Sequence, residues 1–187
     1  DGGLSTDQRR AVDSISQSSE HLRGLINDVL DISKIEAGQE EFHPSEFDLR
    51  RLVHTMDAMF EMRCREKDLA WLLEEDVTAT RVYSDEGKLR QVLINLLGNA
   101  VKFTSQGEVT LTVTSGADDT YRFEVTDSGP GIPAKNQAEI FEPFHQDEEG
   151  ILQGGTGLGL AIARRHVAIM GGTLGVNSKL GSGSTFS

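Results

Sequence analysis

The chain of 187 residues has the length of one sizeable domain with an appendage, and its 37% hydrophobic and 26% charged residues are typical of a globular protein in water. Its net charge of −12 argues against nucleic acid or an anionic membrane surface as the main partner. No apolar run approaches the roughly 20 residues of a membrane span, so no membrane contact by this segment is expected. The single cysteine, Cys64, fits a cytoplasmic location, whether or not the parent protein is anchored in a membrane.

Residues 5–37 are predicted to form one long helix. Ser5 and Gln8 have the spacing of a capping box, and Gly38 marks the end of the helix. Positions three and four apart form the seam of a coiled coil or helical bundle, namely Val12, Ile15, Ser19, Leu22, Ile26 and Val29. A helix this long cannot bury such a stripe alone. We therefore expect another helix or a second copy of the chain to cover it, the alternative being that the helix lies on its own domain.

The polar segment 39–44 ends in Pro44 and predicts a linker, with a domain boundary near residue 41. A helix capped by Asp48 is expected to follow, ending near Lys67. Ser84 or Asp85 is expected to cap the next helix. The remaining pattern predicts strands at 69–73, 82–83, 108–114, 121–126, 173–176 and 184–186, a short helix at 135–141, and a last helix from Gly154 to about Met170.

The helix around residues 89–104 has one apolar face and one polar row. Asn95, Asn99 and Lys102 lie four and three residues apart, so they stack along one stripe. Two amides and an ammonium in one row can hold a divalent cation and a phosphate chain together. A solvated face carrying two chance asparagines is the alternative interpretation of this segment.

Two glycine-containing segments could meet that row. Asp127 ends a predicted strand immediately before a Gly-Pro-Gly turn, and glycines at 154–159 open the last helix. Glycine lets a backbone approach a ligand closely, and the free N–H groups of a first helical turn bind phosphate. The sequence has no P-loop Gly-Lys-Ser/Thr, no strand directly before the glycines as a dinucleotide fold requires, and no His-Arg-Asp or Asp-Phe-Gly of protein kinases.

The ordered segments NLLGNAVKFT, DSGPGI, FEPF, GGTGLGLAI and GSGSTF resemble the N, G1, F, G2 and G3 boxes of the sensor histidine kinases of two-component signalling. The ATP-binding domain of that family belongs to the superfamily shared with Hsp90, gyrase and MutL. The leading segment HLRGLINDVLDISKIEAG resembles the second helix of the kinases' dimerisation domain. The resemblance implies an α/β fold, a two-layer sandwich of a mixed sheet with helices on one face, at 42–187. It also implies that residues 1–41 are one helix of a dimeric bundle and its linker.

The resemblance implies a role for individual residues. Asn99 matches the amide that binds Mg²⁺, Asn95 an asparagine that supports the metal and phosphates, and Lys102 the lysine that neutralises phosphate. Asp127 matches the carboxylate that accepts the adenine amino group, and Thr185 the hydroxyl that backs it through water. The other residues implied to contact ATP are Phe103, Gly129, Gly131, Ile132, Phe144, Gly155, Thr156, Gly157, Leu158 and Gly159, and Phe141 pairs with Phe144 as either a lid anchor or simple core packing.

The reaction implied is transfer of the γ-phosphoryl group of Mg·ATP to a histidine, for relay to the receiver domain of a response regulator. The implied assembly is a homodimer through the N-terminal helix. None of the five histidines is followed by an acidic residue, as the acceptor of the family is. We therefore expect the acceptor to lie on a helix that this chain lacks.

The segment between Phe141 and Thr156, the family's lid, carries four acidic residues and no Lys or Arg, where many relatives have a basic residue near the phosphates. Arg164 or Arg165 could supply that charge, or phosphate binding is weak. A signalling scaffold that binds nucleotide poorly and has weak or no kinase activity is therefore one alternative function. The other is an ATPase of the Hsp90/MutL type, which is disfavoured because Asn95 stands where those enzymes carry the general-base glutamate.

Overall fold

The computed structural model describes residues 5–78, 80–117, 119–145 and 156–187. The chain divides into two compact units, Asp1–Glu40 and Glu41–Ser187. Helix α1, Thr6–Glu36, accounts for most of the first unit. In the described part of the chain, no helix combines the length and the apolar character that crossing a membrane requires.

The predicted start and end of α1 are confirmed. Ser5 N–H donates to Gln8 Oε1 at 2.9 Å, and Gln8 N–H donates back to Ser5 Oγ at 3.2 Å, which is a capping box. The helix ends two residues before Gly38, whose φ of 64° suits glycine. Along α1 the apolar residues Val12, Ile15, Leu22, Ile26, Val29 and Leu30 are all exposed in the single chain.

In the residues that the structure describes, the second unit has three α-helices, a five-stranded mixed sheet and a two-stranded sheet. Its elements in chain order are β1 Ser45–Asp48, α2 Leu49–Glu66, β2 Ala70–Asp76, β3 Arg81–Ser84, α3 Glu86–Phe103, β4 Glu108–Ser115, β5 Tyr121–Asp127, a 3₁₀ turn Glu139–Phe141, α4 Gly159–Ile169, β6 Val176–Ser178 and β7 Ser184–Phe186. The large sheet has the order β2-β4-β5-β7-β6, and only β2 and β4 run parallel. The predicted mixed-sheet α/β fold is confirmed.

The core lies between the large sheet and its helices. Strands β4 and β5 bury alternate residues, as expected of a sheet with one covered face. Side chains of α2 and α3 complete the same core, which includes Leu52, Val53, Met56, Phe60, Leu93, Leu97, Val109, Leu111, Val113 and Val125. The central helix α3 is therefore held on two sides, and its remaining side carries the polar row.

Several elements differ from the sequence-based predictions. Strand β1 was not predicted. It is a strand because it pairs with β3, and a sequence of four residues does not indicate such a distant partner. Strand β6 starts three residues later than expected, because its extent is set by pairing with β7. At 135–141 the chain makes i→i−3 bonds, Asn136 to Pro133 and Glu139 to Asn136, so only a single 3₁₀ turn forms where a helix was expected. Helix α4 begins at Gly159 and not at Gly154, which lies outside the described residues together with Gly155.

Candidate active site

The N-terminus of α3 is fixed by a buried carboxylate. Asp85, 7% exposed, caps the helix by accepting from Lys88 N–H at 3.0 Å, and it also accepts from His43 N–H at 3.0 Å. Burial would raise the pKa of Asp85, but these two hydrogen bonds and the nearby charges of Lys88 and His43 lower it below its ordinary value. One carboxylate thus joins the central helix to the segment that enters the second unit.

The C-terminus of α3 is fixed by an ammonium from another helix. Lys67 lies at the end of α2, and its Nζ donates to the carbonyl oxygens of Val101 at 2.7 Å, Lys102 at 3.1 Å and Thr104 at 3.3 Å. Carbonyl groups at a helix C-terminus lack partners within the helix and carry partial negative charge, so a cation is favourable there. The last turn of α3, which carries Lys102 and Phe103, is held in place by this contact.

Asn95 and Asn99 are one turn apart on α3 but have different surroundings. The amide nitrogen of Asn95 donates to the carbonyl oxygen of Gly159 at 2.9 Å, so Asn95 fastens the start of α4 to α3. Gln91 Nε2 lies 3.4 Å from the oxygen of Asn95. The half-buried Asn99 side chain makes no hydrogen bond within the described parts of the chain, so its amide oxygen can accept a ligand. Lys102 Nζ lies 4.9 Å from the centroid of the Phe103 ring.

Asp127 is a buried carboxylate at the end of β5. It is 8% exposed and accepts from Gly129 N–H at 2.8 Å. Burial raises the pKa of Asp127, and hydrogen bonds from the backbone of Gly129 and Ser184 only partly offset this effect. Burial makes the charge of this carboxylate unfavourable, so a ligand that donates a hydrogen bond to it gives a large gain.

The turn after Asp127 contacts the end of α3 and the β6–β7 hairpin. A Cβ placed on Gly129 would lie 3.3 Å from the carbonyl oxygen of Phe103 and 3.3 Å from Thr104 Oγ1. Gly131 has a φ of 71°, and a Cβ there would lie 2.1 Å from the carbonyl oxygen of Lys179. No side chain fits at that position, so the glycine is required by packing as well as by backbone conformation. The next residue, Ile132, is partly buried against the core.

The segment before α4 contacts the Phe141–Phe144 region. Phe144 N–H donates to the carbonyl oxygen of Gly157 at 2.9 Å, and both residues have positive φ, 62° and 71°. Leu158 N–H donates to Thr156 Oγ1 at 3.1 Å, and the Leu158 side chain is buried. These bonds place residues 156–158 beside Phe144, while Gly159 lies on Asn95.

The two phenylalanines of the FEPF segment have different surroundings. Phe141 is buried and packs edge to face on Phe186, with ring centroids 6.4 Å apart, whereas Phe144 is 65% exposed. Phe141 is therefore part of the packed core, and of these two rings only that of Phe144 is exposed to a ligand. Arg164, one of the two basic candidates for the phosphates, has its guanidinium 5.3 Å from the centroid of the Phe141 ring.

The predicted position of the Thr185 hydroxyl behind the Asp127 carboxylate is wrong. In the β5–β7 pairing, Thr185 is opposite Thr126 and Ser184 is opposite Asp127. Successive side chains of a strand point to opposite faces, so Thr185 lies on the face away from the Asp127 carboxylate. Its Oγ1 lies 3.1 Å from Thr126 Oγ1 instead. The buried Ser184 occupies the face that Asp127 occupies. A one-residue register cannot be read from GSGSTF alone, which explains the error.

Two protein-family models match the chain. Residues 84–187 match the family model described as "Histidine kinase-, DNA gyrase B-, and HSP90-like ATPase". The chain belongs to this family. Residues 1–38 match a second model, "His Kinase A (phospho-acceptor) domain". Together the two matches place the chain among the sensor histidine kinases.

Individual relatives agree with this placement. The circadian input-output histidine kinase CikA of Synechococcus elongatus is 43% identical over 99% of this chain, which spans 25% of CikA. The full-length ShkA structure in complex with AMPPNP has a TM-score of 0.80 at 39% identity, and the match covers 98% of this chain and 38% of ShkA. The histidine kinase ThkA in complex with the response regulator TrrA has a TM-score of 0.68 at 25% identity, over 98% of this chain and 51% of ThkA.

Proposed function

We propose that residues 42–187 form a domain that binds Mg·ATP and transfers its γ-phosphoryl group to a histidine on a dimerisation helix. Residues 1–41 are then the second helix of the dimerisation domain and its linker. The observation that carries this proposal is the convergence of separate segments on α3: Gly159 lies on Asn95, and Gly129 lies against the C-terminal end of the helix. The AMPPNP bound in the similar ShkA structure supports the same assignment.

The adenine is placed at Asp127 in this proposal. The ionised carboxylate accepts a hydrogen bond from the exocyclic amino group, and this bond offsets the cost of burying the charge. Gly129 and Gly131 act here by letting the turn pack closely beside the base, since a Cβ on Gly129 would lie 3.3 Å from the carbonyl oxygen of Phe103 and one on Gly131 would lie 2.1 Å from that of Lys179. Ile132, Phe103 and Phe144 supply apolar surface for the base or ribose. The exposure of Phe144 suits a residue that a ligand covers.

The phosphates are placed along the polar row of α3 and at the start of α4. Asn99 is the proposed Mg²⁺ ligand, because its amide oxygen has no partner in the described structure and oxygen is the donor that Mg²⁺ prefers. Within the described ranges no three His, Cys, Asp or Glu side chains come together to hold a metal. In this proposal Asn99 and Asn95 would hold the ion together with the phosphates, and the ion would supply charge neutralisation. Lys102 and the residues 155–159 complete the proposed phosphate site, Gly155 lying outside the described residues.

The transfer itself requires positioning and charge neutralisation more than covalent help from the protein. A nitrogen of the acceptor imidazole attacks the γ-phosphorus, the bond from that phosphorus to the bridging oxygen of ADP breaks, and ADP leaves with that electron pair. The attacking nitrogen is the one that carries no proton, and the proton on the other ring nitrogen leaves after the N–P bond has formed. Asn95 and Lys102 act here by holding the phosphates. The phosphohistidine then passes its phosphoryl group to an aspartate of a response-regulator receiver domain, a partner class supported by the ThkA–TrrA complex.

The direct test is Mg·ATP binding by the 187-residue chain, measured by isothermal titration calorimetry. We expect Asn99→Ala to weaken binding by at least about a hundredfold, since a metal ligand is lost. Asn177→Ala is the matched control, because Asn177 is exposed on β6 and makes no side-chain hydrogen bond in the described structure. Failure of the parent chain to bind Mg·ATP would support the scaffold alternative.

Phosphoryl transfer is tested separately on a chain that includes an acceptor helix, by following acid-labile phosphate from labelled ATP. Acid-labile, base-stable label on the protein supports a histidine kinase. Release of inorganic phosphate without protein label would instead support an ATPase of the Hsp90/MutL type.

A further inference from the structure

Ser178 on β6 uses its full hydrogen-bonding capacity within the candidate site. Its Oγ accepts from Ile132 N–H at 2.7 Å, and it lies 2.9 Å from the carbonyl oxygen of Gly183 and 3.0 Å from Ser184 Oγ. A hydroxyl has one donor and two acceptor positions. All three contacts are satisfied when Ser178 donates to Gly183 and accepts from Ile132 and Ser184.

These three partners come from two separate segments that both contact Asp127 or follow it directly. Ile132 belongs to the turn that follows Asp127. Gly183 immediately precedes β7 and Ser184 is its first residue, and a Cβ on Gly183 would lie 1.9 Å from the carbonyl oxygen of Asp127. Ser184 pairs directly with Asp127 in the sheet. The single hydroxyl of Ser178 therefore connects the turn to the strand that backs the carboxylate.

Gln137 strengthens the same connection from a different segment. Its Nε2 donates to the carbonyl oxygen of Ile132 at 3.0 Å and to that of Ser178 at 2.8 Å. The turn is thus bound to β6 through both the N–H and the carbonyl group of Ile132. This network uses none of the residues proposed to hold Mg²⁺ or the phosphates, which are carried by α3 and the start of α4.

We propose that Ser178 is a positioning residue that sets the preference of the site for adenine over other bases. Its hydroxyl holds the Gly131–Ile132 turn at a fixed separation from the Asp127 carboxylate. The space between the turn and the carboxylate therefore accepts a purine whose amino group faces that carboxylate. The inference rests on the proposed ATP-binding function. It adds a residue that acts on the base through the turn.

Loss of the hydroxyl leaves the N–H of Ile132 without its acceptor, and a half-buried donor without a partner favours a shifted turn. A shifted turn weakens recognition of the base and leaves the phosphate groups unaffected. The expected signature of Ser178→Ala is therefore a change in base selectivity, which general destabilisation of the domain does not produce.

The test measures Mg·ATP and Mg·GTP affinities of the 187-residue chain by calorimetry, with competition titrations for the weaker nucleotide. We expect Ser178→Ala to lose about tenfold in ATP affinity while GTP affinity stays within about twofold, so the ATP/GTP ratio falls. Ser178→Thr keeps the hydroxyl and is expected to restore the ratio. Ser182→Ala is the matched control in the same hairpin, since the Ser182 hydroxyl makes no hydrogen bond in the described structure.

An unchanged ATP/GTP ratio in Ser178→Ala, whether because both affinities hold or because both fall together, overturns the proposal for Ser178 and leaves the ATP-binding function intact. Absence of ATP binding by the parent chain overturns both. Melting temperatures of all four proteins show whether the variants are folded during the titrations.

Discussion

The carboxylate of Asp127 has opposite effects on the stability of the ligand-free domain and on the proposed binding of ATP. Burial raises its pKa in the folded state. The folded protein therefore holds the proton more tightly than the unfolded chain, and stability from this group is complete below the unfolded value of about 3.9. That stability is lost as the pH rises through the folded pKa, because ionisation is then required inside the protein. Above the folded pKa, the charge that adenine needs is present at the expense of the stability of the ligand-free domain.

Asp127→Asn removes this titration. The difference in melting temperature between variant and parent, without nucleotide, is expected to move in favour of the variant as the pH rises from about 3.9 through the folded pKa, and to level off above it. The same variant is expected to lose Mg·ATP binding. Thermal melts across this pH range provide the measurement. A difference that does not vary with pH would show that burial does not control this carboxylate.

At the scale of single elements, both ends of α3 are held by charged side chains from outside the helix. Asp85 accepts two backbone N–H groups, whereas within the described residues the side chain of Asp48, the N-cap of α2, accepts one, Arg51 N–H at 3.0 Å. The two aspartates are thus the same residue type in the same capping position with a different number of partners. They also differ in exposure, since Asp48 is exposed and Asp85 is buried, so comparing them measures the bond to His43 in its buried setting.

Asp48→Ala is expected to lower the free energy of unfolding by about 1 kcal/mol, as loss of a helix N-cap does, and Asp85→Ala by about 2 kcal/mol, since a second hydrogen bond is lost. Urea unfolding at neutral pH provides both numbers. The lowered pKa of Asp85 gives a further check. Its contribution is present above the unfolded pKa and disappears as the pH falls through the folded pKa, so the cost of Asp85→Ala is expected to shrink in acid. Equal costs for the two variants would show that the bond to His43 adds nothing.

Sequence periodicity predicted most elements of the second unit because their residues alternate or repeat according to their own local geometry. Helix α3 and strands β4 and β5 are the clearest cases. The errors lie where long-range pairing decides: β1 exists through β3, and β6 is placed by β7. The same cause explains the site. Asp127 could be selected because it precedes a glycine turn, whereas the choice between Ser184 and Thr185 depended on the register with β5.

At the scale of the whole molecule, the exposed apolar row of α1 remains to be covered. Val12, Ile15, Leu22 and Ile26 are each about half exposed or more in the single chain. The spacing is that of a helical bundle, and residues 1–38 match a histidine kinase phospho-acceptor domain. The proposed homodimer through this helix would remove the row from water.

Ile26→Glu is expected to weaken the proposed dimer by at least about tenfold, because a charge is placed in an apolar seam. Asn27→Glu introduces the same charge one position away, where the side chain is exposed and outside the apolar row, and it is expected to leave association unchanged. Sedimentation equilibrium over a concentration series measures both. Identical association of the two variants, or a parent chain that is monomeric throughout, would contradict dimerisation through this face.

The ammonium of Lys67 has a mechanical consequence for the central helix α3. Lys67 follows the last residue of α2, yet it binds three carbonyl oxygens at the far end of α3. A displacement of α2 along its axis would therefore pull on the turn that carries Lys102 and Phe103 without passing through the sheet. Because α2 and α3 also share the apolar core, the ammonium adds a direct polar link between the two helices at the end of α3 that carries the proposed phosphate lysine.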